Sequence, residues 1–283
     1  MPPSALLFPG QGSHAEGMDE PYRGAPLFER GLELLGFDPF TRLSDGTRFQ
    51  QPALFLCSVC AWDAWRRGDG DGDAADVEPG DVGAAAGHSL GEYAALVAAG
   101  ALDFEDAVPL VAERGAAMDD AGREQAGGML ALLGGDGLAI VALAERLGLT
   151  VANDNAPGQL VLSGPVDALD RAEDLAPDET GGARARRLDV SGAFHSPLMA
   201  PAAGRLAAAL ERTPVHPFKI PVYANGSAAP FADVRTELAE HLLRPVRWRE
   251  TLLALRARGV ERFVELGPGA VLTGLVKRTL AVA

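Results

Sequence analysis

The segment Gly83–Leu96 constrains the fold of this chain more than any other. A run of small apolar residues leads into Gly87–Gly91, with the sequence Gly-His-Ser-Leu-Gly, and an Ala- and Leu-rich helical pattern follows without a gap. This order of strand, sharp turn and helix is the context of a nucleophile elbow, in which a serine projects from the turn. Its glycines allow the strand and the helix to approach closely. The pattern therefore predicts that Ser89 is a nucleophile, the alternative being a serine in an ordinary glycine-rich turn.

A glutamine flanked by glycines lies in a second candidate loop, near the N-terminus. Residues 4–8 form a short apolar run that predicts a buried strand, and the turn residues of Pro9–Ser13 end it. Ligand sites of open α/β sheets lie at the carboxyl ends of the strands. The glycines beside Gln11 suit a backbone amide that approaches a ligand, although an ordinary strand-to-helix turn would also contain them.

Charge and composition exclude several classes of function. The chain of 283 residues has a formal net charge of −14, whereas binding to nucleic acid phosphates requires a surplus of Lys and Arg. No apolar run approaches the length of a transmembrane helix, and the start of the chain lacks the basic region of a signal peptide. We therefore expect a cytoplasmic protein that binds neither nucleic acid nor membranes.

Cys57 and Cys60 lie in an apolar helical segment without a second Cys pair, so we expect buried thiols and no metal site.

Residues 125–191 differ in character from the rest of the chain. Strand and helix patterns follow there in the order βαββαβ, which is typical of a ferredoxin-like unit. We predict an α/β fold with a hydrolase-like large subdomain that contains a parallel sheet, formed by residues 1–124 and 192–283. Residues 125–191 would form an inserted small ferredoxin-like subdomain. Its expected strands are 128–133, 149–153, 159–163 and 185–190, and its expected helices are 138–147 and 166–175.

Other local patterns predict helix breaks and loops. We expect helices between Glu16 and Trp65, interrupted at Pro21, at 36–39 and at 50–52, where turn residues and prolines lie. The Asn-Asp-Asn-Ala-Pro-Gly sequence at 153–158 predicts a turn. The acidic, glycine-rich segment 68–76 predicts a solvated surface loop, because it lacks the later glycine and glutamate of a calcium-binding loop.

Two polar residues lie where a functional role is favoured. Arg114 belongs to an apolar helical pattern, and a half-buried guanidinium requires an anion. The alternative is a surface ion pair with Glu113 or Asp119. His195 follows the last strand pattern of the small subdomain, at a junction where clefts form, and the alternative is a structural histidine.

Several short segments recur in the order found in one family of enzymes. The segments are Phe8–Ser13, Gln51–Leu54, Gly87–Tyr93, Glu113–Gly115, Asn155–Gln159, Ala193–Ser196, Pro245–Trp248 and Glu265–Gly269. In these segments, and over nearly its full length, the chain resembles the malonyl-CoA:acyl carrier protein transacylases. This family includes discrete enzymes of fatty acid synthesis and trans-acting acyltransferases of polyketide synthases, and the sequence is compatible with a carrier protein of either pathway.

The resemblance implies a catalytic mechanism. Ser89 would attack a coenzyme A thioester after His195 removes its proton, and a carrier-protein phosphopantetheine thiol would then take the acyl group from the serine. Coenzyme A enters as part of the substrate, and no bound cofactor is implied. The backbone amides of Gln11 and Leu90 would form the oxyanion hole. A backbone carbonyl at Arg247 would orient the histidine.

The resemblance also implies the substrate contacts. Arg114 would pair bidentately with the free carboxylate of the malonyl group, for which a planar guanidinium is well suited. Phe194 would occupy the space of a C2 methyl group and so favour malonyl over methylmalonyl. The remaining residues expected to line the pocket are Gln51, His88, Met118 and Asn155.

Both expected partners, malonyl-CoA and an acidic acyl carrier protein, would need local basic surface on this negatively charged chain. The candidate docking residues are Arg184, Arg186, Arg187, Arg244, Arg247, Arg249, Lys277 and Arg278, each of which is alternatively a solvated charge. Two other functions stay open at this point. One is an α/β-hydrolase-type esterase or thioesterase that uses Asp233 and His241, and the other is a non-catalytic carrier-protein docking subunit.

Overall fold

The computed structural model describes residues 3–69 and 74–282. Residues 70–73 of the acidic segment that was expected to form a surface loop lie outside this part of the chain. The strands are β1 Ser4–Phe8, β2 Val82–Gly87, β3 Gly127–Leu133, β4 Thr150–Ala156, β5 Gln159–Pro165, β6 Arg184–Arg187, β7 Val222–Ala224, β8 Ala229–Pro230 and β9 Arg262–Glu265. The α-helices are α1 Pro26–Leu35, α2 Thr47–Ala64, α3 Gly91–Ala98, α4 Phe104–Glu124, α5 Gly137–Leu147, α6 Val166–Glu179, α7 Ala200–Arg212, α8 Val234–His241, α9 Trp248–Ala257 and α10 Val271–Leu280.

The larger sheet has the strand order β8-β7-β2-β1-β9. Strand β1 pairs in parallel with both β2 and β9, β2 pairs in parallel with β7, and only β8 at the edge is antiparallel. Every residue of β1 is buried: Leu6 and Phe8 contribute to one apolar cluster, and Ala5 and Leu7 contribute to another. A strand with apolar packing on both faces is typical of parallel sheets covered by helices. The predicted α/β class with a parallel sheet is therefore confirmed.

The second sheet has the strand order β4-β5-β3-β6, with antiparallel pairing throughout. Along β3, Leu130 and Leu132 pack into a cluster with residues of α5 and α6. Met129 and Ala131, on the opposite face, join the large apolar cluster that also contains β1. This sheet is thus covered by two helices on one face and by the rest of the molecule on the other. The division of the chain at 1–124, 125–191 and 192–283 stays a prediction.

Helix α2 differs from the expected pattern of breaks. Pro52 was predicted to interrupt the helix, but it lies inside α2, which is buried along most of its length and packs against α4. Tertiary packing outweighs the low helix propensity of a single proline near the N-terminus of the helix. Residues 16–24, which were expected to be helical, form turns, and α1 begins at Pro26.

Strand β4 extends into the segment that was predicted to be a turn. Residues 153–156 belong to the strand, and only 157–158 turn. The reason is a pairing with the distant segment that precedes α9: the Asp154 amide donates to the Val246 carbonyl at 3.0 Å, and the Val246 amide donates to the Ala152 carbonyl at 2.8 Å. The Arg249 guanidinium also pairs with the Asp154 carboxylate. This pairing joins β4 to the segment that precedes α9, next to Asn155.

Neither a membrane-spanning helix nor a metal-binding cluster is found among the described residues. No described helix is long and apolar enough to cross a bilayer. No group of at least three His, Cys, Asp or Glu side chains in the described ranges could hold a metal ion. Cys57 and Cys60 are both free and buried, and burial raises the pKa of the Cys60 thiol to about 12.

Candidate active site

The turn between β2 and α3 holds Ser89 in a strained backbone conformation. Its φ of 51° is in the left-handed region, which L-residues other than Asn and Asp seldom adopt. The flanking glycines leave no room for side chains: a Cβ on Gly87 would lie 1.9 Å from the Gly91 carbonyl carbon, and a Cβ on Gly91 would lie 2.0 Å from the Phe8 carbonyl oxygen. The Gly-x-Ser-x-Gly pattern therefore arises from close contacts between β1, β2 and α3. These contacts hold the Ser89 side chain at the carboxyl end of the sheet.

His195 is the residue that contacts the serine hydroxyl. Its Nε2 lies 2.9 Å from Ser89 Oγ. Its Nδ1 lies 2.9 Å from the carbonyl oxygen of His241 and 3.2 Å from that of Arg244. Because carbonyl oxygens only accept hydrogen bonds, Nδ1 carries the proton and Nε2 is free to accept one from the serine. Burial lowers the pKa of His195 well below its ordinary value, so the ring is neutral at pH 7, as a general base must be.

The backbone carbonyl of Arg247 was expected to orient the histidine, and this prediction is wrong. The carbonyl of Arg247 accepts hydrogen bonds from the amide and the hydroxyl of Thr251 instead, both at 2.9 Å. Arg247 directly precedes α9, so its carbonyl is used by the first turn of that helix. The carbonyls that face His195 come from the C-terminal end of α8 and the following turn, where helix geometry leaves acceptors without intrahelical partners.

Arg114 lies beside the serine, and its guanidinium makes no salt bridge to a described carboxylate. The guanidinium donates to Ser89 Oγ through Nη2 at 3.1 Å and to Gln51 Oε1 through Nη1, and it lies 5.5 Å from the centroid of the Tyr93 ring. Its exposure is 1%. The carboxylates suggested as its surface partners, Asp119 and Glu113, pair with other arginines instead. Burial lowers the pKa of Arg114, although Tyr93 and Glu92 nearby act to raise it.

A chain of side-chain hydrogen bonds links Arg114 to the N-terminal loop. Gln51 Nε2 donates to Thr47 Oγ1 at 2.7 Å and lies 3.2 Å from the sulfur of Met118. Thr47 Oγ1 donates to Gln11 Oε1 at 2.8 Å. The structure therefore brings the sequence-predicted residues Gln11, Gln51 and Met118 together with Arg114.

Two backbone amides near Ser89 are available to an incoming ligand. Neither the Gln11 amide nor the Leu90 amide donates a hydrogen bond to another described residue. Leu90 directly precedes the first turn of α3, where the backbone amides have no intrahelical acceptor. The Gln11 loop lies against the elbow, since a Cβ on Gly10 would be 2.3 Å from the His88 carbonyl oxygen. This geometry suits the oxyanion hole that was expected at these two residues.

The other pocket residues expected from the sequence lie around the same turn. His88 Nε2 is 2.8 Å from Asn155 Oδ1, which joins the elbow to the end of β4. Phe194 directly precedes His195 and is buried in the large apolar cluster. Its effect on the choice between acyl groups stays a prediction.

Sequence reasoning missed Asn225 and the role of Glu92. Asn225 Oδ1 accepts from the Ser89 amide and Asn225 Nδ2 donates to the Gly87 carbonyl, both at 2.7 Å. The Asn225 amide in turn donates to Glu92 Oε1 at 2.7 Å. Asn225 ends the short strand pattern at 220–225, and a polar residue at the carboxyl end of a parallel strand was the available signal. For Glu92 the available signal was a carboxylate directly after Gly91, at the start of an otherwise apolar helix pattern.

The residues of the esterase alternative do not form a catalytic triad. Asp233 is the N-cap of α8, where its Oδ1 accepts from the Thr236 amide at 2.8 Å. The His241 ring contacts Glu92, with Nδ1 2.7 Å from Oε2. The His241 main-chain oxygen accepts a hydrogen bond from His195, and the two rings pack at a centroid distance of 4.6 Å, so the His241 side chain is not placed as a base for Ser89.

The candidate docking residues divide into two groups. Those that pair with carboxylates are Arg187, Arg244, Arg247 and Arg249. Those without a salt bridge to another described residue are Arg184, Arg186, Lys277 and Arg278. Three of the latter, Arg184, Arg186 and Arg278, line a cavity of about 710 Å³ at the end of the smaller sheet, and none of its described lining residues is acidic. The turn that follows Asn155 forms part of the cavity wall.

Comparison with known proteins finds acyl transferases over most of the chain. A family model described as an acyl transferase domain matches residues 32–283. The polyketide biosynthesis protein ThaF of Burkholderia thailandensis is 42% identical over 98% of this chain, which spans only 24% of that protein. The malonyl CoA-acyl carrier protein transacylase of Bacillus subtilis is 40% identical over 97% of this chain and 89% of its own length.

Solved structures show the same likeness. The malonyl CoA-acyl carrier protein transacylase of Coxiella burnetii superimposes with a TM-score of 0.88 at 37% identity, covering 99% of this chain and 92% of that one. A malonyl-transacylase in complex with a type II PKS acyl-carrier protein also gives a TM-score of 0.88, at 35% identity, with coverage of 99% and 93%.

Proposed function

This chain belongs to the acyl transferase domain family, and we propose that it transfers a malonyl group from malonyl-CoA to the phosphopantetheine thiol of an acyl carrier protein. The relatives named malonyl CoA-acyl carrier protein transacylases match it over nearly their whole length. The likeness to ThaF and to the carrier-protein complex favours a polyketide pathway as much as fatty acid synthesis. The cytoplasmic location stays a prediction.

The observation that supports a malonyl substrate best is the unpaired charge of Arg114. A buried guanidinium without a carboxylate partner leaves an uncompensated charge, which is costly in the protein interior. A malonyl thioester carries a carboxylate close to its reactive carbonyl. Because Arg114 Nη2 is already 3.1 Å from Ser89 Oγ, a carboxylate bound to the guanidinium would hold that carbonyl near the nucleophile. The substrate would then supply the missing counter-ion.

The first half of the proposed cycle forms an acyl-serine. His195 Nε2 takes the hydroxyl proton of Ser89 while Oγ attacks the thioester carbonyl carbon. The tetrahedral oxyanion accepts hydrogen bonds from the amides of Gln11 and Leu90. The intermediate collapses by breaking the C–S bond, and the proton on His195 passes to the departing coenzyme A thiolate. No bound cofactor takes part.

The second half repeats the same steps with a different nucleophile. The neutral Nε2 of His195 takes the proton of the phosphopantetheine thiol, and the thiolate attacks the ester carbonyl of acylated Ser89. Collapse of this second intermediate breaks the C–O bond and returns the proton from His195 to Ser89 Oγ. The lowered pKa of the buried His195 suits both half-reactions, because in each of them the ring accepts one proton and then releases it.

Malonyl-CoA and the phosphopantetheinylated carrier protein both carry phosphate, and the cavity lined by Arg184, Arg186 and Arg278 is a candidate surface for it. These guanidiniums lack carboxylate partners among the described residues, and arginine binds phosphate through paired hydrogen bonds. The cavity begins at the turn after Asn155, whose side chain contacts His88 beside the nucleophile. We therefore expect the phosphates or the acidic carrier protein to dock at this side of the cleft.

The test is intact-protein mass spectrometry after separate incubation with malonyl-, methylmalonyl- and acetyl-CoA, with Ser89→Ala as the control. We expect a malonyl adduct on the wild type that is absent from the control. Addition of phosphopantetheinylated carrier protein should then move the malonyl group to the carrier. An adduct lost to water rather than to the carrier would support a thioesterase. A folded wild type without any adduct would refute the proposal and favour a docking subunit.

A further inference from the structure

The carboxyl group of Glu92 makes no hydrogen bond to Ser89 or His195, although the Glu92 amide donates to the Ser89 carbonyl at 3.2 Å. Glu92 is three residues after Ser89, in the first turn of α3, and its exposure is 1%. A buried carboxyl group in this position is costly unless both of its oxygens have partners. The proposed catalytic cycle gives this carboxyl group no role.

One carboxyl oxygen of Glu92 is connected to the nucleophile. Oε1 accepts from the backbone amide of Asn225 at 2.7 Å. The Asn225 side chain accepts from the Ser89 amide and donates to the Gly87 carbonyl. Both of these contacts lie on the turn that holds Ser89 at a positive φ. Glu92 thus holds the residue that supports the strained serine backbone.

The other carboxyl oxygen is connected to the base. Oε2 lies 2.7 Å from Nδ1 of His241, whose ring is 4.6 Å from the ring of His195. The carbonyl of the same residue, His241, accepts the hydrogen bond from Nδ1 of His195 at 2.9 Å. His241 is the last residue of α8, and in the turn that follows its carbonyl also accepts from the Arg244 amide at 3.2 Å. By contacting the His241 side chain, Glu92 can fix the position of the carbonyl of the same residue.

From this geometry we infer that Glu92 is a positioning residue, which sets the distance between Ser89 and His195 by accepting from the Asn225 amide with one carboxyl oxygen and contacting the His241 ring with the other. The inference rests on the proposed roles of Ser89 as nucleophile and His195 as base. Contact between the two is needed for proton transfer, and a misplacement of about 1 Å can lower a rate by about 10²-fold.

The environment of Glu92 favours a neutral carboxyl group. Burial raises its pKa to about 8, although Arg114 and His88 nearby act to lower it. Burial also lowers the pKa of the partner His241 to about 3, with Arg114 acting in the same direction. In the neutral pair, a proton on Oε2 faces Nδ1 of His241 at 2.7 Å while Oε1 accepts from the Asn225 amide. A glutamine amide offers the same donor and acceptor in the same shape.

The experiment compares the variants Glu92→Ala and Glu92→Gln with Glu265→Ala as the matched control. Glu265 is another structural carboxylate, which accepts from the amides of Leu272 and Thr273 at the start of α10 and lies outside the proposed site. The probe is a fluorophosphonate, which labels an activated serine hydroxyl and needs no malonyl group. The readouts are the labelling rate of Ser89 at saturating probe, the half-saturating concentration and the thermal unfolding curve.

We expect Glu92→Ala to lower the saturating rate by about 10–100-fold with little change in the half-saturating concentration, and Glu92→Gln to restore most of it. The control should lose stability without losing rate. A folded Glu92→Ala variant that is labelled at the wild-type rate would overturn the inference, and so would an equal loss in the Ala and Gln variants. A wild type that is labelled but gains no malonyl group would refute the proposed substrate alone.

Discussion

Replacing Arg114 with alanine should exchange the acyl preference of the enzyme rather than abolish its chemistry. The guanidinium donates to Ser89 Oγ, offers paired donors to a carboxylate and makes no salt bridge within the described chain. A hydrogen bond to a charged group contributes about 1.5–3 kcal/mol, so loss of a bidentate pair corresponds to about 3–6 kcal/mol. At about 1.4 kcal/mol per decade, kcat/KM for malonyl-CoA should fall by about 10²–10⁴-fold.

The same substitution should affect a neutral acyl group in the opposite direction. An acetyl group leaves the buried guanidinium of Arg114 without a counter-ion, whereas alanine removes that uncompensated charge. Acylation by acetyl-CoA should therefore be retained or increased. Quenched-flow mass spectrometry of the Ser89 adduct measures both rates, and Arg205→Ala serves as the control, since Arg205 is a half-exposed arginine paired with Glu113 and Asp120. An equal decrease with both donors would refute the reasoning, because it would indicate a general loss of site geometry.

Three further predictions concern the support of the turn and the effect of pH. Asn225→Ala should lower the free energy of unfolding by about 1–3 kcal/mol for each group left unpaired, namely the Ser89 amide and the Gly87 carbonyl; denaturant titration measures this, and an unchanged midpoint would contradict it. Gly91→Ala should prevent folding, since its Cβ would lie 2.0 Å from a carbonyl oxygen, whereas Gly204→Ala, with no atom within 4 Å, should fold normally by circular dichroism. The folded state keeps the Glu92 proton up to about pH 8, but the unfolded chain releases it near 4.5. The stability contributed by this proton is therefore complete below pH 4.5 and declines up to pH 8, a slope that Glu92→Gln should remove in denaturant titrations at several pH values.

The described arginine cavity offers a separate test of partner docking. Combined replacement of Arg184 and Arg278 by alanine should raise KM for the carrier protein and weaken its salt dependence, because exposed charge pairs act mainly on association. The Ser89 labelling rate should not change. An unaltered KM for both malonyl-CoA and the carrier protein would place docking elsewhere.

The sequence by itself determined the elements whose partners lie close by along the chain. The five residues of β1 were predicted with the bounds that the structure has, because an apolar run ended by Pro-Gly needs no distant information. The elbow was equally visible, since Gly87 and Gly91 are required by contacts within one β-turn-α unit and its neighbouring strand. The resemblance to a family then indicated Ser89, His195 and Arg114 as a group, and the structure brings their side chains into contact.

Only the tertiary structure decided which distant groups complete the site. His195 contacts Ser89 across a separation of 106 residues, and Asn225 reaches the Ser89 amide across 136. The carbonyl that orients the histidine was expected at Arg247 but comes from His241 and Arg244, because the start of α9 uses the Arg247 carbonyl for its own first turn. A local pattern records which residues can turn, cap or pack. A local pattern does not indicate which helix end faces a given histidine, because that depends on the packing of α8 against the rest of the fold.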